Sequence, residues 1–182
     1  MNTRNLLTGF FLGAAVLTEG AIAISCTRGG STVTILARGP AGLRIEGRGS
    51  ELSVEGDASA LTFTVPLAPL DTGISLRDVH LHRMLEADKY PVATLRVSRS
   101  RLAFPKDHET TEGTAEGDLT LHGQSRPVTV HYRAKVGAGG IMKVRGSFQL
   151  DMRDFDIKVP SYLGVSVAPK VEVNAELAVN GA

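Results

Sequence analysis

From Ser31 to Val179 the chain repeatedly alternates apolar and polar residues at period two, the spacing of strands with one buried face. The clearest run is KVEVNAELAV, where Val171, Val173, Ala175, Leu177 and Val179 share one side and Lys170, Glu172, Asn174 and Glu176 the other. RPVTVHYRA sets Val128, Val130, Tyr132 and Ala134 against Thr129, His131 and Arg133. MKVRGSFQL sets Val144, Gly146, Phe148 and Leu150 against Lys143, Arg145, Ser147 and Gln149. ALTFTV offers Leu61, Phe63 and Val65, and VATLRVS offers Ala93, Leu95 and Val97; TVTILAR, GLRIEGR and GDLTLHG are shorter versions. Turns separate the runs. Glycine in GAGG (Gly137–Gly140) and in HGQS (His122–Ser125) permits the positive φ of hairpins, and PKDHETTEG is a polar hairpin end. The pattern predicts about eight strands with antiparallel neighbours, hence a sandwich or a barrel.

One segment breaks the alternation. In SLRDVHLHRMLEADKYP the pairs Arg77-Asp78 and His82-Arg83 put polar groups on both faces of any strand. Ser75 and Asp78 fit a capping box, Leu81, Met84 and Leu85 form an inward stripe, and Pro91 ends the element. The prediction is one helix over about 76–87 across one end of the sheet.

The first residues have a different pattern. Arg4 precedes the apolar Leu6–Leu17, and TEGAIA ends in Ala21-x-Ala23. This describes a secretory signal peptide over residues 1–23. The apolar stretch falls short of the ~20 residues a membrane-spanning helix needs. Ile24-Ser25-Cys26 loosely resembles a lipoprotein cleavage box with Cys26 as the lipidated residue. Glu19 and Gly20 separate that box from the apolar stretch, which favours cleavage after Ala23. Residues 24–30 then form a flexible leader to a domain at 31–180, in a periplasmic or secreted protein.

Composition narrows the chemistry. A formal charge of +1 gives no field for nucleic acid. One cysteine excludes a disulfide framework and a cysteine-rich zinc module. No Trp and three Tyr leave little for stacking on sugars or bases. His80 and His82 are two apart, which splits them across a helix, and no His-x-x-x-His with a nearby Glu occurs. No Gly-x-Ser-x-Gly elbow occurs, and GAGG lacks the lysine and following helix of a phosphate loop.

Three stretches together resemble a known family. LRDVHLHRMLEADKYPVATLRV (Leu76–Val97) carries an Arg-Asp pair, a helix and Lys-Tyr-Pro entering a strand. GDLTLHGQSRPVTV (Gly117–Val130) carries a Leu-Thr-x-His-Gly turn and a Pro-led strand, and FQLDMRDFDI (Phe148–Ile157) carries Arg153 and Phe155. In this order and spacing they resemble the YceI-like family, bacterial polyisoprenoid-binding proteins with a lipocalin-like barrel. The stretch before Thr62 departs from the pattern, having no long aromatic opening strand.

The resemblance implies an all-β fold: an extended antiparallel eight-stranded lipocalin-like barrel with one short helix capping an end. It implies a carrier or sequesterer of an isoprenoid chain, of polyprenyl phosphate or isoprenoid quinone type, with no catalytic residue, metal or cofactor. It also allows a homodimer through the outer strands. The expected cavity wall is Leu61, Phe63, Leu95, Val97, Leu119, Leu121, Val128, Val130, Tyr132, Val144 and Phe148. Arg77, His80, His122 and Arg153 are the head-group candidates, since they lie in the matching motifs near element ends. Each has a plainer role open to it: Arg77 in an ion pair, His122 in a hairpin, Arg153 in a bridge to Asp151 or Asp154. A barrel of eight strands can also fill its interior with side chains. The alternative function is therefore a secreted β-barrel interaction or stress-response module with a filled core and no ligand.

Overall fold

The computed structural model describes residues 26–106, 108–162 and 165–180. The proposed signal peptide lies outside them. Nine strands form one antiparallel sheet: β1 Cys26–Arg38, β2 Arg44–Gly49, β3 Ser53–Gly56, β4 Ala60–Pro66, β5 Val92–Ser98, β6 Thr110–Leu121, β7 Gln124–Val136, β8 Ile141–Asp151 and β11 Lys170–Asn180. The two-residue strands β9 Ser161–Tyr162 and β10 Val165–Ser166 pair separately. The large sheet runs β2-β1-β11-β8-β7-β6-β5-β4-β3. It thus has nine strands, one more than expected, because the short segment SVEG adds β3 at the edge. The opening strand is long but not aromatic, and it takes in residues 26–30, which the sequence assigned to a leader.

Alternation explains the strands. Along β6, Ala115, Gly117, Leu119 and Leu121 are buried while Glu116 and Asp118 are exposed. Along β7, Val128, Val130 and Ala134 are buried while Thr129, His131 and Arg133 face water. Period-two burial of this kind fixes which face turns inward. The sheet curls until its far strands meet: Phe63 and Val65 of β4 pack in one cluster with Val144 of β8 and Leu177 and Val179 of β11. At Gly117 the curl is tight. A Cβ there would sit 2.9 Å from both the Arg96 carbonyl oxygen and a Val97 methyl, so only glycine lets β5 cross this close.

The sheet's two edge strands, β2 and β3, are consecutive in the chain. The Ser31 hydroxyl organises their junction, donating to the Ser50 carbonyl (3.1 Å) and accepting from the Leu52 amide (3.2 Å). The free edge of β2 is met by the segment after β4, where Arg48 and Asp71 exchange backbone hydrogen bonds of 2.7 and 2.9 Å. Covering an edge in this way satisfies amides that would otherwise invite another chain.

The single α-helix among the described residues, α1, spans Ser75–Met84, shorter than the predicted 76–87. The expected capping box does not form. Ile74 occupies the N-cap position, so Ser75 is already helical, and no side chain caps the helix start. Asp78 instead reaches back to Thr72, accepting from its amide (2.7 Å) and hydroxyl (2.5 Å). These bonds hold the Asp78 carboxyl below the usual carboxylate range.

Beside α1 the sheet and its connections form a buried apolar cluster. Leu67, Leu70, Leu85, Leu121, Met152 and Phe155 form its core, with Phe155 1% exposed. Met152 and Phe155 lie in a 3-10 turn whose first carboxylate, Asp151, accepts the Arg153 amide (3.0 Å) and both Nε (2.9 Å) and Nη2 (2.6 Å) of its guanidinium. The Arg153 side chain is the main reason that the Asp151 pKa falls to about 2.

Two outcomes are expected. Phe155→Ala removes the best-buried ring and should cost ~3–5 kcal/mol in urea unfolding; a loss below ~1 kcal/mol would contradict the packing described. Asp151→Asn should lower Tm at neutral pH. The folded-state pKa is depressed, so the carboxylate's contribution is present above the unfolded value of ~3.9 and disappears as pH falls through about 2. The gap in Tm between the two proteins should therefore close over that window.

Candidate functional site

The inner face of the curled sheet encloses a cavity of about 1140 Å³. At one end it is lined by Leu76, Arg77, His80 and Leu81 of α1, at the other by Leu102, Ala103 and Phe104 between β5 and β6. The register places these groups at opposite ends, because α1 follows the Pro66–Val92 end of the β4–β5 pair and Leu102 follows its Ala60–Ser98 end. Along β11 the lining runs from Val171 to Val179, a length of ~26 Å at ~3.3 Å per residue. The cavity is therefore long and narrow.

It is hollow because several inward positions carry small side chains. Ala115, Ala134, Gly146 and Ala175 all face it. Gly146 lies between Tyr132 and Ala175 in the ladders, and a Cβ on it would make only ordinary contact, 3.7 Å from a Val130 methyl. Each of these positions sits in an alternating run where Val or Leu would have filled the space. The small inward residues therefore leave apolar wall that no side chain covers.

The predicted wall residues line this cavity with one exception. Val128 is buried in the same cluster as Met152 and Phe155 but is absent from the lining. Tyr132 does more than line the wall. Its hydroxyl accepts the Ala103 amide at 2.8 Å and pins the connection at the far end.

The four polar candidates separate. Arg77, half-buried, and His80, exposed, lie on α1 and face the cavity mouth. Neither side chain has a hydrogen-bond or ion-pair partner among the described residues. His122 also lines the cavity but is committed to structure. With φ 51 it makes, together with Gly123 at φ 74, the two-residue turn between β6 and β7. Its Nδ1 lies 2.9 Å from the Phe155 carbonyl oxygen, its Nε2 3.4 Å from the Glu86 carboxylate, and its ring packs 5.0 Å from Tyr90. It ties the chain after α1 to the β6–β7 turn and the 3-10 turn. Arg153 is absent from the lining, because its guanidinium is held in the fork with Asp151.

Two cations that sequence reasoning missed complete the mouth: Arg83 of α1 and Lys158, both exposed and with side chains that have no partner among the described residues. Arg83 was legible as a helix position one turn from His80. Lys158 was not, since only the fold brings its segment to α1. Among the described residues no group of three His, Cys, Asp or Glu side chains is placed to hold a metal ion, and no helix is long and apolar enough to cross a membrane.

Known proteins share this architecture. A polyisoprenoid-binding domain from Saccharophagus degradans, implicated in plant cell wall breakdown, superposes with a TM-score of 0.71 at 17% identity, over 88% of this chain and 98% of that one. Burkholderia cenocepacia BcnA follows at 0.64 and 20% identity, over 81% and 95%. In sequence, a UPF0312 protein of Vibrio cholerae is 31% identical over 127 residues, 65% of this chain. The match spans 62% of that relative's length. The model of the YceI-like domain matches residues 30–179, nearly all of the curled sheet, and the chain belongs to the YceI-like domain family.

Proposed function

We propose that this protein holds an isoprenoid-type lipid in its cavity, for transport, storage or sequestration outside the cytoplasm. The observation that carries the reading is the continuous apolar bore of about 1140 Å³, beyond the ~300–1,000 Å³ usual for small-molecule sites. Its walls are branched aliphatic residues with Phe63 and Phe148, which suit a flexible branched hydrocarbon better than a flat ring system. Each buried methylene contributes ~0.8 kcal/mol. About ten of them reach the ~8 kcal/mol of a micromolar complex, before ordering costs. The fold likeness to a polyisoprenoid-binding domain supports the same class of ligand.

The tail lies along β11 and β8, and the head group, a phosphate or quinone, sits at the mouth near Arg77 and His80. A filled-core module is the poorer reading, since the wall residues enclose volume where they would have to touch. Export through the signal peptide at residues 1–23 delivers the protein to the periplasm or the medium, where a lipid needs an apolar carrier to cross water. This reading gives the protein a binding role and no turnover.

The test is to block the bore. Gly146→Phe adds a ring at a wall position with room for it and leaves the existing core contacts in place. Protein purified from its own cell envelope without detergent should release a prenyl lipid in native mass spectrometry. The variant should fold, carry none of that mass, and bind a hydrophobic fluorescent probe at least about tenfold more weakly, ~1.4 kcal/mol. Wild-type protein without a lipid passenger, with probe binding unaffected by Gly146→Phe, would sink the proposal.

A further inference from the structure

The helix α1 carries apolar residues on two sides. Leu81 and Met84 point into the cavity. Ile74, Leu76 and Val79 lie outward, 49%, 69% and 51% exposed. Isolated exposed apolar residues are ordinary on a protein surface. Here three fall within two turns of one short helix, Leu76 and Val79 being neighbours three apart on its surface. Ile74 and Leu76 also contribute to the cavity lining, so the exposed patch and the bore are one continuous apolar surface.

The charges around this patch favour anions. Arg77, His80, Arg83 and Lys158 rim the mouth, and none of their side chains has a partner among the described residues. The nearby acids are mostly engaged: Asp78 with Thr72, Glu86 with Lys89 and His122. Asp156 is the rim carboxylate without such a partner among the described residues.

We infer that the outer face of α1 is a docking surface for an anionic phospholipid bilayer, with Ile74, Leu76 and Val79 entering the interface and the rim cations meeting phosphate. Size argues for a bilayer over a protein partner. A stable protein interface buries roughly 800 Å² on each side, which three side chains on a ten-residue helix do not approach. Shallow insertion of these few apolar side chains removes them from water, and cations at head-group depth add attraction to anionic lipid. Docked there, the mouth opens onto hydrocarbon, and a prenyl chain passes between membrane and bore without crossing water. The exchange step rests on the lipid-holding reading; the docking does not.

The chain has no Trp, so Val79→Trp places a single reporter on the proposed contact, at a residue outside the cavity lining. With vesicles of phosphatidylglycerol and phosphatidylcholine its emission should shift to the blue. With phosphatidylcholine alone, or in about 1 M salt where charges are screened within ~3 Å, the shift should largely vanish. Thr129→Trp, on the exposed face of β7, should not respond. Val79→Glu should weaken co-sedimentation with the anionic vesicles at least about tenfold while keeping any lipid passenger seen by native mass spectrometry. No shift for Val79→Trp, or an equal shift for Thr129→Trp, overturns the docking surface and leaves the patch to a protein partner. Passenger present without vesicle binding refutes docking alone; vesicle binding without a passenger supports docking and refutes the lipid-holding function.

Discussion

The protein depends on one geometric constraint: the apolar face of a single sheet must be buried against itself without filling the space it encloses. A nine-stranded antiparallel sheet with one apolar face cannot leave that face in water. Curling satisfies it, as Phe63 on β4 and Leu177 on β11 share one cluster. The side chains that face inward at mid-sheet, Ala134, Gly146 and Ala175 among them, are too small to meet across the interior. The sheet is therefore buried and hollow at once.

The two ends supply the stability that the middle lacks. Beside α1, Phe155, Leu70, Leu121 and Met152 pack into a conventional core. Hydrogen bonds lock the pieces around it: Asp151 with Arg153, Asp78 with Thr72, His122 with the Phe155 carbonyl. At the far end Tyr132 fixes the β5–β6 connection through the Ala103 amide. The Ser31 hydroxyl holds the junction between β2 and β3, and a backbone bridge from Arg48 to Asp71 ties the edge of β2 to the segment after β4.

Much of this was legible along the chain. Alternation in the segments that became β7, β8, β11 and the second half of β6 identified both the strands and their inward faces, since a slip of one residue would reverse every side chain, whereas Thr110–Gly113, read as part of a polar hairpin end, belongs to β6 because it pairs with β7. The helix was legible from its failure to alternate. Its cap was not, because Ser75-x-x-Asp78 satisfies the local pattern while the structure uses Asp78 on Thr72. Val128 shows a similar limit. It shares a face with Val130 and Tyr132 but is buried without reaching the cavity. Arg153 was equally ambiguous by sequence: motif position suggested a ligand, and an acceptor two residues away claimed it.

By itself the sequence determined which residues face inward, where the sheet turns and where the helix lies, because period-two and period-3.6 patterns are local properties of the backbone. It also held the small inward residues, though nothing local shows that Gly146 and Ala175 stand side by side. Tertiary structure decided the rest: that the interior is hollow, that Lys158 joins Arg77, His80 and Arg83 at one mouth, and that Ile74 and Leu76 extend the bore onto the surface. A cavity is the distance between side chains on strands far apart in the chain. That distance depends on how tightly the sheet curls, which no single stretch of residues encodes.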